Sequence, residues 1–296
     1  MTRIHIIDVS PRDGLQIDPR IASIEEKVQL VRKLVSAGIH QVEVTSFVRP
    51  DKVPQMADAE ELMKALAAES DLAAVVLIPN LKGFERVSSY NPHEVNWISA
   101  ATETFNEKNI GMSIEKNMES FRELVKIAKI QSVQCCFSVA VSFGCPYEGD
   151  VDPKSVLDLV KQAKEAGADR ISIADTIGIA VPSQVSNLMK EVLKCAGDIP
   201  VALHLHDTRG LGLANAYAGY EAGVRYFETA VSGIGGCPFA PGAAGNLATE
   251  DLVYMFERMN ISTGVNFERI LEAANYAASL STKEPLGRIR KVVNKK

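Results

Sequence analysis

Short apolar, β-branched runs recur along the chain, at residues 4–9, 41–46, 74–78, 95–100, 133–141, 170–173, 201–205 and 226–230. Several are continuously apolar, the pattern of strands buried on both faces. The stretches between them read as helices, at 24–37, 55–67, 82–88, 114–130, 156–166, 182–195, 211–222 and 249–258. In the first helix Val28, Val31, Leu34 and Val35 share one stripe, while Glu25, Glu26, Lys27 and Arg32 face away. A small residue followed by glycine closes three helices, at Ala37-Gly38, Ala166-Gly167 and Ala222-Gly223, one or two residues before the next strand. Eight strands alternating with helices predict a closed parallel (β/α)8 TIM barrel. An open doubly wound sheet would carry a glycine-rich turn after its first strand, and Ser10-Pro11-Arg12-Asp13-Gly14 stands there instead. The barrel is expected over about 4–260 of a single domain, with a helical extension over about 264–282 and a basic tail over 290–296.

Composition narrows the class. A chain of 296 residues with 46% hydrophobic and 23% charged residues has the make-up of a soluble globular protein. A net charge of −5 argues against binding to a nucleic-acid backbone, which needs a concentrated basic face. Residues 73–79 are apolar but too few to cross a bilayer, so no membrane association is expected. The five cysteines (135, 136, 145, 195 and 237) are scattered and odd in number, with no CxxC pair. That favours free thiols and a cytoplasmic location.

The candidate chemistry lies at the strand ends, where a barrel of this kind gathers its active site. His204-Leu205-His206 ends the seventh run, and residues i and i+2 of a strand share a face, so two imidazoles enter one space. Asp13, after the first strand, can join them as a third ligand, and the amide oxygen of Asn246 can be a fourth. Mixed oxygen and nitrogen donors suit Mg2+ or Mn2+, although imidazole also admits Zn2+, Co2+ or Fe2+. Arg12 adjoins Asp13 and can face a developing oxyanion. Glu43 and Asp8 are expected to point inward near the mouth and orient Arg12 or a histidine. Gln16 and Asp175, also at strand ends, are candidate substrate contacts. Cys237 lies in Gly233-Ile234-Gly235-Gly236-Cys237-Pro238, and a thiol on such a loop can act as general acid or base.

These residues resemble a known family. Pro11-Arg12-Asp13-Gly14-Leu15-Gln16, residues 43–47, Pro79-Asn80-Leu81-Lys82-Gly83, Gly144-Cys145-Pro146-Tyr147-Glu148-Gly149, Asp175-Thr176-Ile177-Gly178, His204-Leu205-His206-Asp207-Thr208, Gly235-Gly236-Cys237-Pro238-Phe239-Ala240 and residues 245–251 are similar to the 3-hydroxy-3-methylglutaryl-CoA lyases. The resemblance runs from about residue 4 to about 275. It implies an acyl-CoA substrate, a divalent cation held by Asp13, His204, His206 and Asn246, and cleavage of a C2–C3 bond to acetyl-CoA and a keto acid. His204 or a carboxylate would take the 3-hydroxyl proton, Arg12 would stabilise the enolate, and Cys237 would protonate it. A homodimer is compatible with the family.

The chain departs from the family pattern at several places, of which the fifth strand bears on the acyl pocket. Gln16-Ile17-Asp18 replaces the usual Gln-Asn-Glu, Asp8 stands for a glutamate, and Arg49-Pro50-Asp51-Lys52 replaces Ser-Pro-Lys-Trp. The fifth strand, Gln134-Cys135-Cys136-Phe137-Ser138-Val139, lacks an arginine and a tyrosine found near the substrate in the family. The resemblance therefore leaves open a related lyase for a different branched 3-hydroxyacyl-CoA. A Claisen-type condensing enzyme of the same superfamily and a non-catalytic metal-binding barrel are the other readings.

Overall fold

A computed structural model describes residues 3–236 and 245–293. Eight parallel strands close a barrel in the order β1 to β8: β1 (His5–Asp8), β2 (Gln41–Ser46), β3 (Ala73–Ile78), β4 (Glu94–Ala100), β5 (Gln134–Ala140), β6 (Arg170–Asp175), β7 (Val201–Leu205) and β8 (Tyr226–Thr229). The helices around it are α1 (Ile24–Ser36), α2 (Ala59–Leu66), α3 (Leu81–Val87), α4 (Glu103–Ile110), α5 (Ile114–Ile130), α6 (Pro153–Ala166), α7 (Pro182–Ala196), α8 (Gly212–Ala222), α9 (Thr249–Arg258), α10 (Phe267–Leu280) and α11 (Ile289–Val293). The alternation of apolar runs and helical stripes therefore led to the correct architecture. The sequence pattern missed α4, whose predominantly polar residues bury only Phe105 and Asn106.

The apolar core lies between barrel and helices. Trp97 of β4 is fully buried against Phe121 of α5, and its indole N–H donates to Asn117 Oδ1 at 2.7 Å. Phe121 in turn packs on Phe137 of β5, and Phe227 of β8 packs on Phe256 of α9. Ser23 caps α1 in a reciprocal capping box with Glu26. Gly167 and Gly223, two of the recurrent loop glycines, close α6 and α8 in left-handed conformations (φ 92° and 113°). One expectation for α1 is corrected. Lys27 is buried rather than turned to solvent, because its ammonium donates to Gln55 O and Asp58 Oδ1, each at 2.6 Å.

Strand parity decides which side chains fill the barrel. Register pairs Asn96 with Cys136 and Cys136 with Arg170, and one layer further on pairs Ile98 with Ser138 and Ser138 with Ser172. Ala174 pairs with His204, and His204 with Glu228. Members of each set share the inner face.

Beyond β7 and β8 the chain is pinned by its backbone. Leu247 N donates to Leu205 O at 2.9 Å, Asp207 N to Gly245 O at 3.1 Å, and Ala230 N to Leu247 O at 3.1 Å. These bonds set Asn246 opposite His206 in an antiparallel bridge. The C-terminal segment crosses nearby, with Gly287 N donating to Ser232 O at 2.9 Å and Arg288 N to Asp251 Oδ2 at 2.9 Å.

Candidate active site and metal centre

The chain leaves β1 through a π-helical turn, Ser10–Gly14, in which Gly14 N reaches back to Val9 O at 3.2 Å. Pro11 at its start needs no donor, and such wide turns cluster at functional sites. The turn lays Arg12 and Asp13 across the C-terminal mouth of the barrel, both buried. Gly14 lies so close to Ile234 that a Cβ there would stand 2.7 Å from Ile234 Cγ1.

Asp13, His204 and His206 converge. One ligand atom from each lies within 4.8 Å of the others, and all three residues are buried. The two Nε2 atoms are 3.1 Å apart, and His206 Nε2 is 4.0 Å from Asp13 Oδ2. Asn246 donates from Nδ2 to Asp13 Oδ2 at 2.8 Å, while its buried Oδ1 has no partner. A half-turn of that amide presents the oxygen on the Asp13 side. Burial, then the neighbouring His204 charge, pushes His206 down to about 4, which keeps it neutral as a ligand must be. Burial opposes the Asp13 charge, but Arg12, His204 and His206 outweigh it and hold the carboxyl below its ordinary value. An ionised carboxylate, two imidazoles and an amide with an orphaned oxygen fit a divalent cation.

Arg12 is held rigidly. Nε donates to Glu43 Oε2 at 2.6 Å and Nη1 to Asp13 Oδ1 at 2.6 Å, while Nη2 also pairs with Glu43. Glu43 Oε1 accepts from Asn96 Nδ2 at 2.9 Å, and Ser138 Oγ donates to Asn96 Oδ1 at 2.6 Å. Gln16 Nε2 donates to Asp13 Oδ1 at 2.7 Å. Thus Arg12, Asp13, Gln16, Glu43, His204, His206 and Asn246 come together.

Two predicted residues do not join them. Asp8 lies in register with Thr229 rather than Glu228, so it faces out of the barrel. There it accepts from Ser10 N, Val231 N and the Thr249 hydroxyl, and burial raises it to about 6. Asp175 is displaced for the same reason. Ala174 takes the inner face beside His204, and Asp175 accepts from Ile179 N at 2.9 Å and Ala180 N at 3.1 Å, closing the loop after β6. Cys237 lies outside the described residues. Its neighbour Gly236 lines the cavity.

The sequence reading overlooked an ion network inside the barrel. Glu228 accepts from Arg170 Nη1 at 2.5 Å, Ser172 Oγ at 2.9 Å and His204 Nδ1 at 3.2 Å. Arg170 also grips Glu94 through Nε and Nη2. Burial alone would raise Glu228, but Arg170 and His204 reverse this and hold it well below the usual carboxylate range. The tether directs His204 Nε2 toward Asp13. Arg170 sits in register beside Cys136, so β6 carries an interior guanidinium next to a β5 position that has none. The available signal was a charged residue at alternate positions of otherwise apolar strands: Glu94, Arg170 and Glu228.

A cavity of about 650 Å³ opens above this centre. Arg12, Asp13, His204 and His206 line it, as do Leu77, Ile98, Ala140 and Ala174, the last in register beside His204. Arg49, Lys52 and Lys108 stand in the outer lining, with the Lys108 ammonium 3.8 Å from the Tyr147 ring centroid. Among the described residues no helix is long and apolar enough to cross a membrane, and the four described cysteines are free.

Comparison with known proteins agrees with this geometry. Residues 3–277 match the family model described as HMGL-like. The human mitochondrial hydroxymethylglutaryl-CoA lyase is 41% identical over 274 residues, 93% of this chain and 84% of that protein. The crystal structure of hydroxymethylglutaryl-CoA lyase from Pseudomonas aeruginosa superposes with a TM-score of 0.95 at 34% identity, covering 99% of this chain and 98% of the other. An HMG-CoA lyase from Acinetobacter baumannii, solved with coenzyme A and 3-methylmalate, gives a TM-score of 0.93 at 37% identity over 98% and 94% of the two chains. With a family match spanning nearly the whole chain and the same barrel in its relatives, this protein belongs to the HMGL-like family.

Proposed function

We propose that the protein is a divalent-metal-dependent carbon–carbon lyase. It cleaves 3-hydroxy-3-methylglutaryl-CoA or a close 3-hydroxyacyl-CoA relative to acetyl-CoA and a keto acid, acetoacetate for the methyl compound. The carrying observation is the convergence of Asp13, His204 and His206 on one buried point, with Arg12 hydrogen-bonded to Asp13. The names of the relatives supply the substrate class.

A bound cation, Mg2+ or Mn2+, supplies a lowered pKa for the substrate 3-hydroxyl. A member of this cluster left free by the cation, His204 or a carboxylate, takes the single hydroxyl proton. The C2–C3 bond then breaks, C3 becomes a carbonyl, and the bonding pair passes to C2 as a thioester enolate. Arg12, fixed by Glu43, places permanent positive charge against the enolate oxygen. Cys237 delivers a proton to C2, completing acetyl-CoA. Lys52, Arg49 and Lys108 at the mouth suit the phosphates of coenzyme A. The free thiols accord with a cytoplasmic enzyme.

The test is mass spectrometry of products after incubating the purified chain with 3-hydroxy-3-methylglutaryl-CoA and Mg2+ or Mn2+. Acetyl-CoA and acetoacetate in equal amounts are expected, with none formed in chelator. Release of free CoA from acetyl-CoA and a keto acid, without cleavage, would instead identify a condensing enzyme.

A further inference from the structure

The stretch of cavity wall built by β5 and β6 carries an inference that rests on the lyase reading and extends it. Strands β5 and β6 turn only small side chains toward the cavity: Ser138 and Ser172, which are in register, and Ala140 and Ala174, two residues further along. Ile98 of β4 stands in register beside Ser138, and Leu77 of β3 also lines the cavity.

The two serine hydroxyls have no proton left to offer a ligand. Ser138 Oγ donates to Asn96 Oδ1 at 2.6 Å, and Ser172 Oγ donates to Glu228 Oε2 at 2.9 Å. Asn96 Nδ2 is likewise committed to Glu43. Each serine thus spends its single proton on the protein. Their methylenes, the alanine methyls and the Leu77 and Ile98 side chains make this wall apolar in character. Among the described residues no cationic side chain lines that wall; Arg170 lies outside the lining, paired with Glu94 and Glu228. A substrate carboxylate is accordingly served by Arg12 and the metal donors and not by these side chains. Small side chains on two adjacent strands leave depth where bulk would otherwise stand.

We infer that this wall receives an apolar substituent longer than methyl on C3, so that 3-hydroxyacyl-CoAs with a C3 alkyl chain of several carbons are preferred substrates. Ser138, Ala140 and Ala174 are then specificity-determining residues, with no part in the bond cleavage itself.

The experiment compares 3-hydroxy-3-alkylglutaryl-CoA thioesters carrying methyl, propyl and pentyl groups, using the full chain with Mn2+ and following acetyl-CoA release. The kcat/KM is expected to rise by about fourfold per accommodated methylene, the rate equivalent of ~0.8 kcal/mol per buried CH2. Ala174→Val and, independently, Ser138→Leu should each lower the pentyl-to-methyl ratio of kcat/KM by about tenfold or more. The ratio is internal to each variant, so a general loss of activity does not mimic the result. Cleavage of the methyl compound with a flat or falling profile along the series overturns this inference and leaves the lyase reading standing. Failure to cleave any of the three overturns the lyase reading and this inference with it.

Discussion

Glu228→Gln is the substitution that most directly tests how the site is held in shape. The glutamine keeps the volume but removes the charge that ties His204 to Arg170. In the native protein the carboxylate accepts from Arg170 at 2.5 Å, Ser172 at 2.9 Å and His204 at 3.2 Å. Hydrogen bonds to a charged group contribute about 1 kcal/mol more than neutral ones, and here Arg170 and His204 both lose that increment. The amide also turns an N–H toward at least one existing donor. Arg170 retains Glu94, so the loss stops short of stranding a buried cation. The expected destabilisation is about 2–4 kcal/mol at pH 7. Urea unfolding followed by the fluorescence of Trp97, the single tryptophan, measures it. The folded-state pKa of Glu228 is depressed, so its contribution is present above the unfolded value near 4.5 and fades as pH falls below it. The difference between wild type and variant should therefore shrink in acid. With His204 released from its tether, Mn2+ affinity measured by calorimetry should fall by about 10–100-fold. A variant that binds Mn2+ as tightly as wild type would refute the claim that Glu228 orients the imidazole.

Four further outcomes follow from the same geometry. Arg12→Lys keeps a positive charge but loses the fork that spans Glu43 and Asp13, and kcat should drop by about 10²–10³-fold in the acetyl-CoA assay. Cys237→Ser should lower kcat by orders of magnitude while calorimetric Mn2+ binding is unchanged; surviving activity would remove the thiol from the proton-donor role. Gly235 has φ +114° and a Cβ there would stand 2.7 Å from Asn246 Nδ2, so Gly235→Ala should weaken Mn2+ binding and lower the Tm. Burial raises Glu250 to about 8, above its unfolded value of 4.5, so its stabilising contribution is full below about pH 4.5 and is lost as pH rises through 8. Glu250→Gln should consequently raise the Tm at pH 8.5 and change it little at pH 5.

The barrel was legible because each strand and helix advertises itself locally, through apolar runs and 3.6-residue stripes. The paired histidines were legible for a similar reason, since parity along one strand requires no knowledge of its neighbours. Parity also explains the failures. Asp8 and Asp175 stand one residue away from the inner face, and a strand read without its register does not reveal which of two successive residues turns inward. Glu94, Arg170 and Glu228 come from three strands separated by dozens of residues, and their mutual compensation exists only once the barrel closes. Lys27 was misplaced because its partner, Asp58, lies 31 residues away.

The backbone bridge that carries Asn246 has a practical consequence for redesign. Its attachments to Leu205, Asp207 and Ala230 involve main-chain atoms alone, so they do not depend on the side chains at those three positions. Side chains at positions 205, 207 and 230 can therefore be varied in a library while the bridge is kept. The same main-chain bonds would hold Asn246 opposite His206 throughout such a search.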